Sequence, residues 1–172
     1  MKLHDTHEPG VGDEETKACC GLDDVSDCRR VADRLGIPFY VMDLRAAFKK
    51  AVQDDFVENY VKGWTPNPCI QCNGVLKFQV LLQRAKVLGA DLLATGHYAQ
   101  ITDDNCLQMA VDQQKDQSYF LFPIRPNALK KVLFPLGGMT KVEVREHARR
   151  LGLVTASKPE SQDICFLPNG NH

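Results

Sequence analysis

Nowhere does the sequence hold an apolar run approaching the ~20 residues of a membrane-spanning helix, and no charged-then-apolar start marks a secretory signal. Both absences argue against a membrane partner and against export. The cysteine pattern of a secreted scaffold is also missing. Seven cysteines, an odd number, stand at irregular spacing, so a cytoplasmic setting with reduced thiols is expected. There is no internal repeat and no low-complexity tract. No second Cys-x-x-Cys is present, whereas a closed structural zinc site needs four ligands. Nor does one sign of charge dominate: the net charge is −1, which by itself argues neither for nor against nucleic acid.

What is present is the composition of an ordinary globular domain. The 172 residues are 44% apolar and 25% charged, enough to bury roughly two-thirds of the surface on folding. Charge is distributed unevenly. Residues 1–27 carry eight acids against Lys2 and Lys17, and residues 123–158 carry eight bases against Glu143 and Glu146. A basic region on a neutral protein is the footprint of a phosphate backbone; the plainer reading is a solvated helix face.

The chain is organised around Thr65-Pro66-Asn67-Pro68-Cys69-Ile70-Gln71-Cys72-Asn73. Two prolines bar the α region to Thr65 and Asn67, which predicts a stiff extended loop. Val75, Phe78, Leu81, Leu82, Ala85 and Leu88 then recur at helical spacing and Gly89 supplies a stop, so a helix is expected with Asn73 or Gly74 near its cap. A thiol at a helix N-terminus carries more thiolate. Cys69 and Cys72 are therefore candidates for a nucleophile or for metal ligands.

Elsewhere the periodicity predicts a helix from residue 23 or 24 to 35, with Val25, Cys28, Val31, Ala32 and Leu35 inward and Gly36 as its stop. A buried parallel strand is expected at 37–42, a helix at 44–61 and a second strand at 90–95 that ends on Gly96-His97. A hairpin around Asp103-Asp104-Asn105, a short helix near 127–133 and a capping box Thr140-x-x-Glu143 follow. Ser118 to Phe122 defaults to an aromatic cluster in the core. This order argues an α/β class with a doubly wound sheet. Cys19, Cys20 and Cys28 read as packing residues and Cys106 as decoration of the hairpin. His97, after a glycine at a strand end, is either a ligand or a hydrogen-bonded scaffold residue.

Four motifs in order across the chain resemble one family. They are Thr65-Pro66-Asn67-Pro68-Cys69-x-x-Cys72-Asn73 with Lys77-Phe78, Ala94-Thr95-Gly96-His97-Tyr98, Lys115-Asp116-Gln117-Ser118-Tyr119-Phe120, and Lys158-Pro159-Glu160-Ser161-Gln162-Asp163-Ile164-Cys165-Phe166. Together they are similar to the tRNA-specific 2-thiouridylases. The resemblance implies a partial adenine-nucleotide α-hydrolase-like (Rossmann-type) parallel sheet with flanking helices. Residues 1–122 would be the truncated α/β catalytic domain, and 123–172 a basic helical segment and loop with the second cysteine.

It also implies an activity: Mg-dependent use of ATP to transfer persulfide sulfur, from a sulfur-donor protein, to C2 of the wobble uridine of tRNA. By position, Cys72 resembles the nucleophile and Cys165 the persulfide carrier. Gly96 and Met1 match ATP-binding positions, Asn67, Pro68 and Cys69 the target-base segment, and Lys115, Asp116 and Gln117 a tRNA-contacting triplet. Attack by Cys72 on the persulfide leaves a Cys72–Cys165 disulfide, so two thiols 93 positions apart must meet, with the 157–166 loop expected to move. The alternative keeps Cys69, Cys72 and Cys165 as ligands of a [4Fe-4S] cluster, or of a non-catalytic iron–sulfur or zinc-binding RNA-associated module. Three departures stand out. The family's Ser-Gly-Gly-x-Asp-Ser pyrophosphate loop has no counterpart, since Gly10-Val11-Gly12 lies in an acidic stretch with no apolar strand before it. Gly74 stands where members commonly carry a basic residue. The family also continues beyond this C-terminus, so an internal piece, inactive by itself, is expected.

Overall fold

The computed structural model describes residues 1–3, 22–158 and 164–167. Gly10 to Gly12, Cys19, Cys20 and residues 159–163 of the last motif lie outside the described residues. The chain divides into two units, residues 1–50 with 147–172, and residues 51–146.

In the first unit, α1 (Leu22–Leu35) buries Ala32 fully and Val25 and Val31 in part. Cys28 is exposed rather than packed, because the apolar stripe of this mostly polar helix is too narrow to reach it. The helix ends at Gly36, whose φ of 66° is left-handed backbone that favours glycine. The buried strand expected at 37–42 does not form: Ile37, Tyr40 and Val41 are exposed. A strand exists only where a neighbour supplies hydrogen bonds, and here Lys2 supplies a single parallel bridge to Asp43. Lys2 N donates to the Met42 carbonyl at 2.8 Å, and Leu44 N donates to the Lys2 carbonyl at 2.9 Å. Asp43 then pairs with the Arg45 guanidinium at 2.6 Å, which holds its carboxyl at about 2.

Helix α2 (residues 45–61) starts there and buries Phe48. Phe48 meets Phe166 edge to face at 5.6 Å, one residue from Cys165. Lys158 lies between Asp24 (2.6 Å) and Asp27 (2.7 Å), whose carboxylates push its pKa up. This ion pair ties Lys158 to the start of α1 within the same unit.

In the second unit, α3 (residues 68–87) is followed by β1 (Leu93–Ala94), the hairpin β2 (Gln100–Ile101) and β3 (Leu107–Gln108), and a 3-10 turn at Ser118–Leu121. Then come α4 (Pro126–Leu129), β4 (Val132–Leu133) and the start of α5 (Lys141–Arg150). The hairpin turns on Asn105 at φ 58°, within the predicted Asp-Asp-Asn segment. β1 pairs with β4 in parallel, Leu93 opposite Val132 and Ala94 opposite Leu133. The expected helix near 127–133 is therefore shorter, because residues 132–133 belong to the sheet. Thr140 and Glu143 form the capping box: the Thr140 N–H and hydroxyl both donate to Glu143 Oε2, at 2.7 and 2.8 Å.

The core of this unit is Phe78, Ala99, Leu121, Ile124, Leu129 and Val132. Apart from Ala99, each of these side chains stabilises the fold by about 1.5–3 kcal/mol on burial. Only Leu121 of the 118–122 run is fully buried; Tyr119 and Phe122 are 66% and 65% exposed, which corrects the expected core aromatic cluster. A 3-10 turn cannot direct four consecutive side chains to one side. Among the described residues no helix is long and apolar enough to cross a membrane.

Gly137 sits against the hairpin, and a Cβ there would collide with the Ala99 backbone carbonyl. Gly137→Ala is expected to cost about 3 kcal/mol or more, read as a lowered denaturant midpoint in chemical unfolding.

Candidate active site around Cys72

Helix α3 begins at Pro68, several residues before the expected cap. Asn67 is extended (φ −109°, ψ 98°), and its side-chain oxygen accepts from Cys69 N at 3.1 Å and Ile70 N at 3.3 Å. Asparagine is a favoured N-cap and proline a favoured first helical residue, so Asn67-Pro68 outcompetes Asn73-Gly74 for the start. Cys69, exposed, lies in the first turn, and Cys72, half-buried, lies one turn on. Asn73 is buried instead, and its amide donates to the Phe120 carbonyl at 3.1 Å. Gly74 is buried under Pro123, whose ring carbon would lie 3.2 Å from an added Cβ. The departure at Gly74 therefore lets the 118–123 segment close onto the helix.

From Cys72 to Leu81 the helix is π-wound, with bonds from residue i to i+5. That winding fully buries Leu76, which α-helical spacing does not single out. Segments of this kind recur at functional sites.

At the carboxyl end of β1 stand Thr95, Gly96 and His97. Gly96 is exposed, and an added Cβ would meet only Leu136, at 3.8 Å, so a flat ligand has room to approach its backbone. His97 is buried between Phe78 and Phe134. Its Nε2 lies 3.2 Å from Lys77 Nζ and its Nδ1 2.8 Å from Thr95 Oγ1. An ammonium only donates, so Nε2 accepts, and the proton on Nδ1 goes to the threonine oxygen. Burial first, and the Lys77 charge second, pull the His97 pKa down to about 4. Both ring nitrogens are engaged, which assigns His97 to the scaffold and makes it the holder of Lys77. In the sequence Lys77 stands out only as part of the Lys77-Phe78 motif; its pairing with His97, 20 positions on, is a tertiary feature.

The Lys115-Asp116-Gln117 triplet is half-buried. Asp116 accepts from Ala110 N and from the Ser118 hydroxyl, each at 2.7 Å. Gln117 accepts from Tyr98 N at 3.0 Å, and its own N–H donates to the Tyr98 carbonyl at 2.8 Å. Gln117 thus joins the loop to Tyr98, beside His97, and Asp116 joins it to Ala110 at the end of the hairpin. Met1 is exposed next to the Lys2 bridge. Cys165 is half-buried in a turn closed by a bond from Leu167 N to the Ile164 carbonyl at 3.1 Å. Cys72 belongs to the second unit and Cys165 to the first. Within the second unit, among the described residues, no third Cys, His, Asp or Glu joins Cys69 and Cys72 in a metal-binding group.

Two outcomes follow. Asn67→Ala is expected to lower stability by about 1 kcal/mol, while Asn67→Asp, which keeps the cap, stays near wild type in chemical denaturation. His97 has a depressed folded pKa, so its stabilising contribution is full above its unfolded value near 6.5 and is lost as pH falls towards 4. Unfolding free energy should drop by up to about 3 kcal/mol across that window, and His97→Gln should flatten the dependence.

A family model described as tRNA methyl transferase HUP domain matches residues 1–169. A tRNA-specific 2-thiouridylase of Geobacter metallireducens is 53% identical over 163 residues, covering 92% of this chain and 44% of the relative. The 2-thiouridylases of Mycolicibacterium gilvum and Magnetococcus marinus are 51% and 49% identical, covering 95% and 100% of this chain and 45% and 49% of their own lengths. The chain thus spans a little under half the length of these curated relatives. With the α/β architecture and the matched motifs, this match shows that the chain belongs to the tRNA methyl transferase HUP-domain family.

Proposed function

We propose that this chain carries the thiol chemistry of a tRNA 2-thiouridylase, a sulfurtransferase that uses ATP to place persulfide sulfur on C2 of the wobble uridine. The observation that carries the reading is the identity of about half, over 92–100% of the chain, to relatives of that name. The helix start that holds Cys69 and Cys72 supports it. ATP, when bound, supplies the AMP leaving group on the uracil 2-oxygen. Gly96, open at the carboxyl end of β1, and Met1 are the residues of this chain proposed to meet the nucleotide. The sequence has no glycine-rich loop after an apolar strand to cradle the phosphates.

In the proposed reaction Cys165 accepts the outer sulfur from a donor protein as a persulfide. The Cys72 thiolate attacks Cys165 Sγ, so the Sγ–Sγ bond forms, the persulfide S–S bond breaks and hydrosulfide leaves. Hydrosulfide adds to the activated C2 and AMP departs. An external thiol then returns two electrons to the Cys72–Cys165 disulfide. Asn67, Pro68 and Cys69 line the approach to the base, and Lys115, Asp116 and Gln117 contribute to tRNA binding, the last two by shaping the loop.

Treating the chain with a small-molecule persulfide donor and mapping the products by mass spectrometry tests this. Sulfur should add to Cys165, and the product should convert to a Cys72–Cys165 disulfide. Cys165→Ser should lose the first step and Cys72→Ser only the second. Persulfide accumulating on a different cysteine sinks the reading. Anaerobic preparation with near-stoichiometric iron and sulfide, lost in both variants, would instead favour the cluster route. ATP affinity of the isolated chain is expected to be weaker than micromolar, as measured by calorimetry.

A further inference from the structure

Between Asp116 and Glu143 the chain has no acidic residue, yet it carries Arg125, Lys130, Lys131 and Lys141. The first three are exposed and make no ion pair among the described residues, and Arg125 and Lys131 line one groove of about 560 Å³ with Leu82 and Asn127. Just before them stand two rings with no packing role in the core. Tyr119 and Phe122 are 66% and 65% exposed, with centroids 6.4 Å apart and planes tilted by 52°. Exposed aromatic rings followed by unpaired cations suit a single-stranded nucleic acid, whose bases stack on rings while its phosphates meet positive charge.

The turn bearing these rings is anchored rather than loose. Asn73, the residue after Cys72, donates to the Phe120 carbonyl, Pro123 closes onto Gly74, and Leu121 is fully buried. The rings therefore keep a fixed relation to the helix that carries the thiol.

We propose that Tyr119 and Phe122, with Arg125, Lys130 and Lys131, form a platform on which an unpaired nucleotide of an RNA loop stacks beside the Cys72 helix. The inference rests on the 2-thiouridylase reading for its RNA substrate, and it assigns recognition of a splayed-out base to residues outside the matched tRNA triplet. Stacking selects single-stranded over paired RNA because a paired base has no face left to offer.

Fluorescence anisotropy of the full chain tests it, with a labelled RNA stem-loop compared with a fully paired duplex of the same stem. Tyr119→Ala and Phe122→Ala should each weaken stem-loop binding about 5- to 100-fold and leave duplex binding unchanged. Tyr119→Trp should retain binding and Tyr119→Leu should not, since leucine keeps apolar surface without a π face. Arg125→Gln and Lys131→Gln should weaken both RNAs, each reducing the slope of log affinity against log salt by about 0.7–0.9. Both rings are exposed, so unchanged melting curves are expected for the variants. Equal losses on loop and duplex, wild-type binding by Tyr119→Leu, or no measurable RNA binding each overturn the platform; wild-type binding by Tyr119→Leu would point to a protein-covering surface. Persulfide mapping at Cys72 and Cys165 is independent of these outcomes, so failure of the platform and failure of the sulfur chemistry are separable.

Discussion

A proline in the first turn of a helix and an asparagine immediately before it leave the chain little choice about where that helix begins. The Asn67 side-chain oxygen accepts from the Cys69 and Ile70 amides, the latter shared with the Asn67 backbone carbonyl, and Pro68 gives up an N–H that would have gone unmet. Everything proposed for the thiols depends on this start. It sets Cys69, exposed, in the first turn and Cys72 one turn later with partial shelter from water.

The same helix is held from two further sides of its own unit. Asn73 and Gly74 join it to the segment that ends in the exposed rings, and Lys77 joins it to His97 at the carboxyl end of β1. The π winding matters here. In an α-helix Lys77 would sit about 140° round the axis from Cys72, whereas the wider winding with bonds from i to i+5 turns the two positions towards the same face. A neutral, buried imidazole is well suited to hold an ammonium, since it accepts a hydrogen bond without cancelling the charge.

In the other unit, the ends of the Cys165 region are tied down by different forces. Lys158 meets Asp24 and Asp27 at the surface, and Phe166 meets Phe48 by ring contact. The ion pair is exposed, so solvent screens it and it contributes little to stability. Its consequence is local placement.

Local rules carried the elements whose cause is local. The capping box at Thr140, the glycine end of α1, the turn at Asn105 and the amphipathic run behind Cys72 were all legible in single stretches of sequence, and motif order was enough to recognise the family. Elements that depend on distant residues differ from what local composition predicts. Residues 37–42 have a strand's composition, but among the described residues only Lys2 lies alongside, through one bridge to Asp43. Val132 and Leu133 read as a helix end and became a strand because β1 lies alongside. Tyr119 and Phe122 looked like core and are exposed, because a buried Leu121 fixes the turn between them. By itself the sequence determined the composition of each segment, the positions of its caps and stops, and which thiols are offered for chemistry. Which strand finds a partner, which ring faces water and which lysine a histidine holds were decided only by tertiary structure, because hydrogen-bond partners and burial are properties of neighbours that the linear order does not specify.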